Sequence, residues 1–182
     1  MIDAGIARSL NALALIAISA ILAAAFYTQI VARELPCPLC ILQRAGFVVV
    51  GLGLAMNLLI GPRPGHYALM ILAALAGGAV SLRQMALHIV PGTGAYGDPV
   101  LGLHLYSWAA LIFAAIILGA ALMLFFEKQF RPSAGEGTRG PLILAALAFF
   151  ALMALGNGAS TLLECGTGLC PDDPVAYEWL PG

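Results

Sequence analysis

The residues best equipped for chemistry are Cys37 and Cys40, set in the run Pro36-Cys37-Pro38-Leu39-Cys40-Ile41-Leu42-Gln43-Arg44 at the mouth of an apolar stretch. Two cysteines with two residues between them can close a small disulfide, whose Cα atoms must lie about 4.4–6.8 Å apart. One turn of chain supplies that distance. The pattern predicts a helix beginning at Cys40. A thiol at a helix N-terminus meets the positive end of the macrodipole and unpaired N–H groups, and both favour the thiolate that attacks disulfides. Arg44 follows at i+4 on the same helical face. This predicts a fixed cation beside the thiolate and beside whatever accepts its electrons. A second pair, Cys165 and Cys170, encloses Gly166-Thr167-Gly168-Leu169, where glycine permits positive φ and a tight closed loop.

The elements that must position these cysteines are membrane spans. Of 182 residues, 62% are hydrophobic and only 9% charged, and mean hydropathy is +0.98. That composition excludes an ordinary soluble domain. A helix crosses the hydrocarbon core with about 20 apolar residues, and five stretches qualify, near 10–32, 41–60, 67–89, 105–126 and 141–160. The first outlasts the roughly 7–15-residue core of a signal peptide and is read as a retained span. The expected architecture is therefore an all-α membrane protein, a bundle of five transmembrane helices forming a single integral domain over 1–182, with a cysteine-containing tail at 161–182. Arg8, Arg63, Lys128, Arg131 and Arg139 fall on one side, whereas Glu34, Asp98, Glu164, Asp172, Asp173 and Glu178 collect on the other. By the positive-inside rule the N-terminus is cytoplasmic and the tail external. All four cysteines then share the compartment in which disulfides persist. The net charge of −1 gives no reason to expect a nucleic-acid partner.

Along the chain, Gly61-Pro62-Arg63-Pro64-Gly65 predicts a tight turn joining spans two and three as an antiparallel pair. Gly46, Gly51 and Gly53 in span two, and Ala73, Ala74, Gly77 and Gly78 in span three, suit close helix contact. Residues 129–140 read as a flexible, mildly basic linker. Arg83 and His88, at the polar outer end of span three, are candidate donors or proton carriers, or interfacial side chains. His104 and Trp108 read as boundary residues. Arg44 either serves the site or snorkels to the headgroups.

Two disulfide-capable pairs on one membrane face suggest a relay. One pair would exchange with a soluble dithiol, and the other would pass two electrons to an acceptor dissolved in the bilayer. Permanent structural staples in a non-enzymatic membrane subunit or assembly factor, and a four-thiolate metal site, are the other readings of the same residues. No metal is expected. A conduit carrying electrons outward would need a cysteine pair reachable from the cytoplasm.

The run Cys37-Pro38-Leu39-Cys40-Ile41-Leu42-Gln43-Arg44 resembles the first external cysteine pair and quinone-contacting arginine of the DsbB-type disulfide bond formation proteins of the bacterial inner membrane. The segments Arg83 to Pro91 and Gly102 to Trp108 are similar to the edges of that family's second external loop. The resemblance implies a protein-disulfide oxidoreductase with catalytic Cys37, Cys40, Cys165 and Cys170. Ubiquinone or menaquinone would be held near Arg44; His88 and Arg83, read from their position alone, are the further candidate contacts. The implied partner is a periplasmic DsbA-type protein of thioredoxin fold. In four-helix members the second pair lies between spans three and four. Here residues 91–103 contain no cysteine, and the second pair follows a fifth span.

Overall fold

The computed structural model describes residues 2–90, 92–94, 97, 99–131 and 140–180. Asp98, Arg139 and most of the expected 129–140 linker lie outside the described residues. Among the described residues, five helices are long and apolar enough to cross a membrane: α1 Ala4–Ile30, α2 Pro38–Ile60, α3 Pro64–Leu87, α4 Leu105–Leu124 and α5 Pro141–Cys165. Proline occupies the first turn of α2, α3 and α5, where its missing N–H costs nothing and its fixed φ suits the helix. Asp3 starts α1 by accepting a hydrogen bond from the Ile6 amide at 2.9 Å.

Most helix ends fall within two or three residues of the sequence reading, and three of the differences matter for the site or its packing. The Asp3 cap starts α1 at Ala4 rather than near residue 10. Pro38 opens α2 two residues before Cys40, which makes Cys37 the N-cap. At the far end, α5 runs on to Cys165, because Asn157, Ser160 and Glu164 are buried helical residues rather than the start of a loop. Between α4 and α5 the expected linker begins as a short 3₁₀ turn, Glu127–Phe130, with Gln129 buried.

The helices pack in the lateral order α4, α3, α2, α1, α5. Spans two and three form the expected antiparallel pair, and Gly61 turns between them with φ 87°. Contact in a bilayer depends on backbones and side chains fitting closely, since lipid tails are as apolar as leucine. Glycine supplies the fit. The Phe113 ring of α4 sits against Gly46 and Gly77 and stacks on Phe47 with centroids 4.1 Å apart. Phe150 of α5 lies over Gly51, and Phe26 of α1 over Gly156.

At the end opposite the cysteines, a buried polar network ties α1, α2, α3 and the 3₁₀ turn together. Asn11 donates to the Tyr67 hydroxyl at 2.9 Å, Asn57 donates to Asn11 at 2.9 Å, and Tyr67 donates to Gln129 at 2.8 Å. Each group finds a partner, as hydrocarbon surroundings require.

Candidate redox site

The Cys37–Cys40 disulfide closes with Cα atoms 5.0 Å apart. As N-cap, Cys37 offers its Sγ to the Cys40 amide at 3.2 Å, so the helix N-terminus acts most directly on the Cys37 sulfur. Across the α2–α3 interface, fully buried Gln84 points its Nε2 at both sulfurs, 3.3 Å from Cys37 and 3.5 Å from Cys40. Gln43 holds that amide in place by donating to Gln84 Oε1 at 2.7 Å. Cys37 is buried and Cys40 partly open.

The Arg44 guanidinium turns to different partners. Its Nη1 donates to Gln29 Oε1 at 2.6 Å and Asn157 Oδ1 at 3.4 Å, and its Nη2 donates to the Ala25 carbonyl at 3.1 Å. The guanidinium is thus engaged by α1 and α5 inside the bundle, not drawn up to the headgroups. The polar neighbour of Cys40 is Gln84 on α3 instead. A guanidinium has five N–H donors, and the three bonds leave Nε–H and one Nη2 hydrogen able to meet a ligand oxygen.

Gln29 connects this arginine to the tail. Its Nε2 contacts Ser160 Oγ at 2.6 Å, the Tyr177 hydroxyl at 3.0 Å and Glu164 Oε2 at 3.4 Å. The tail folds back on the end of α5, with the Glu178 amide donating to the Glu164 carbonyl at 3.2 Å and the Trp179 amide to the Leu163 carbonyl at 3.1 Å. Gly166 turns the chain there with φ 59°. The Cys165–Cys170 disulfide closes this loop with Cα atoms 4.5 Å apart. Cys165 is buried, and Cys170 is the more accessible sulfur. A cavity of about 340 Å³, lined by Gln29, Arg33, Leu35 and Tyr177 among others, separates the segment leading into Cys37 from the tail.

Of the other candidates, His88 caps α3 and its Nδ1 lies 2.8 Å from the Gln84 carbonyl. Its ring stacks on Tyr106, which stacks in turn on His104. Arg83 is exposed, one residue from Gln84 on another face of α3. Trp108 donates to the Val100 carbonyl at 2.9 Å. Sequence reasoning did not single out Gln29, Gln84, Asn157, Ser160, Glu164 or Tyr177 as site residues. Their signal was their polarity inside or beside apolar spans, where such groups face the bundle interior and mark function.

Five apolar helices with two disulfides at one end of the bundle define a multi-pass helical membrane protein built around cysteine pairs. Residues 7–95 match the model of the family described as disulfide bond formation protein DsbB. Disulfide bond formation protein B of Marinobacter nauticus is 35% identical over 141 residues, covering 57% of this chain and 84% of that one. The Azoarcus sp. protein of the same name is 32% identical over 148 residues, covering 62% and 89%. With disulfide bond formation protein B 1 of Pseudomonas aeruginosa the identity is 39% over 88 residues, or 46% of this chain, and the chain spans about half of that relative's length (54%). No solved structure matches. The chain belongs to the DsbB family.

Proposed function

We propose that this protein is a quinone-dependent thiol oxidase of the bacterial inner membrane, with its cysteines facing the periplasm. It reoxidises a soluble disulfide oxidase of thioredoxin fold. A reduced partner exchanges with Cys165–Cys170, that pair reduces Cys37–Cys40, and the resulting dithiol passes two electrons and two protons to ubiquinone or menaquinone. Such a DsbA–DsbB–quinone route is what keeps a periplasm oxidising. The observation that carries the reading is the Cys37–Cys40 disulfide at the start of α2, its sulfurs met by Gln84 and its helix carrying Arg44 one turn deeper.

The residues fit a quinone. Arg44 retains two N–H donors for a carbonyl oxygen, and a fixed cation stabilises negative charge as it develops there. The quinone supplies the electron-accepting chemistry; the protein supplies position and electrostatics. Cys170 is the sulfur an incoming thiolate reaches first, which leaves buried Cys165 to carry electrons inward.

The test is anaerobic quinone absorbance of the purified protein in detergent after adding a reduced DsbA-type partner. Loss of the oxidised-quinone band is expected in wild type. Cys165→Ser should block oxidation of the protein partner while small dithiols still reduce the quinone through Cys37 and Cys40. Normal partner oxidation by that variant would make the tail disulfide a structural staple. Arg44→Ala is expected to raise the apparent KM for quinone about tenfold, equivalent to the loss of one ordinary hydrogen bond; unchanged kinetics would remove Arg44 from the quinone site.

A further inference from the structure

Glu164, in the last turn of α5, is 1% exposed. Its Oε2 accepts one long hydrogen bond from Gln29, while its Oε1 is buried without a hydrogen-bond partner among the described residues. A carboxyl group inside a membrane bundle is costly to keep and is retained where it has work to do. The charge opposite it is Arg44. Both reach the same amide, Arg44 donating to Gln29 Oε1 and Glu164 accepting from Gln29 Nε2. The two charges act on each other across it, and Tyr177 from the tail is the other titratable group in the cluster. Ser160 and Asn157 complete it as neutral groups.

This assembly contains one fixed cation, one carboxyl group and one phenol. With nothing else present, the guanidinium and a carboxylate balance. A second negative charge arriving at Arg44 would leave two anions facing one cation in a poorly solvated site, where like charges repel strongly. One proton taken up by the carboxylate restores the balance.

We infer that Glu164 is a proton-exchanging residue coupled to Arg44, binding one proton when negative charge develops beside the guanidinium and releasing it when that charge leaves. Its use in turnover rests on the quinone-linked function proposed above. Oxidation of a dithiol to a disulfide releases two electrons and two protons, and a quinone takes up two of each to become a quinol. Glu164 carries one of those protons and ends each cycle in the state in which it began.

The experiment compares the full-length wild type with Glu164→Gln, Arg44→Gln and the double variant, all purified into lipid. Glutamine at 164 keeps the size of the side chain and an acceptor for Gln29, but it cannot titrate. Removing the Arg44 charge strands the carboxylate, so the infrared spectrum of Arg44→Gln should gain a carboxylic-acid C=O band that shifts in D₂O and is missing from the double variant. Absence of that band overturns the inference. In anaerobic quinone reduction, Glu164→Gln should lower turnover about 100-fold and flatten its pH profile, the scale of loss for a removed proton-transfer group. Turnover and pH profile equal to wild type would also overturn it, as would a lower rate whose pH profile is unchanged. If wild type itself fails to reduce quinone while the infrared band is present, the quinone-linked reading falls and the proton coupling stands.

Discussion

Cys40→Ser is expected to lower quinone reduction by about three orders of magnitude or more, the scale seen when a residue acting as part of a catalytic unit is removed. A lone Cys37 cannot close the small disulfide that must form as two electrons leave. In the variant, a mixed disulfide between Cys37 and one tail cysteine is returned to the tail disulfide by the other tail thiol, so electrons stop at the tail pair. Non-reducing proteolysis with mass spectrometry reads the retained Cys165–Cys170 disulfide, and anaerobic absorbance reads the lost turnover. The surroundings support so large an effect. Both sulfurs share the Gln84 amide, and Gln43 holds that amide in place. Full activity in Cys40→Ser would remove the pair from the relay altogether.

The second large effect is expected far from any sulfur, at Gly51. A Cβ added there would fall within the Phe150 ring, with Cδ2 of that ring only 2.9 Å away. Phe150 is buried, and Phe26 over Gly156 holds the same helix against α1, so the ring has little room to move aside. Gly51→Ala should therefore destabilise the protein by about 1–3 kcal/mol, the ordinary cost of overpacking. It should also weaken oxidation of the protein partner more than reduction of quinone by small dithiols, because α5 carries Cys165. Phe150→Ala removes the clash, so Gly51→Ala should cost almost nothing in that background. Thermal unfolding of the four proteins of this double-mutant cycle, in one detergent, measures the coupling directly. Additive costs would show that α5 does not dock through this contact.

Several features were legible without the tertiary structure. Long apolar runs forced five spans, because every buried backbone group in hydrocarbon must be satisfied within its own helix. The turn at Gly61-Pro62-Arg63-Pro64 and the glycine faces of α2 and α3 were equally readable, since each depends on residues close together in the chain. The helix ends were less so. Apolar content marked α5 as stopping near residue 160, yet polar Ser160 and Glu164 continue the helix because Gln29 on α1 receives them.

The direction of Arg44 shows the limit most clearly. Spacing alone put it on the same face as Cys40, and a helical period of 3.6 residues does bring those two positions to one side. A side chain that long chooses among partners within that side, and the choice falls to α1 and α5, through Ala25, Gln29 and Asn157. The sulfurs turn instead to Gln84 of α3.

By itself, then, the amino-acid sequence determined the number of spans and the two cysteine pairs, both properties of short stretches of chain, while the structure moved the start of α2 to Pro38 and made Cys37 its N-cap. Only the tertiary structure decided that α5 lies beside α1, that Gln84 reaches the sulfurs, and that Gln29 joins Arg44 to Glu164. Those contacts bring together residues 47 positions apart, as Cys37 and Gln84 are, and 135 apart, as Gln29 and Glu164 are. They depend on how glycine notches and aromatic rings lock whole helices against one another, which no local pattern encodes.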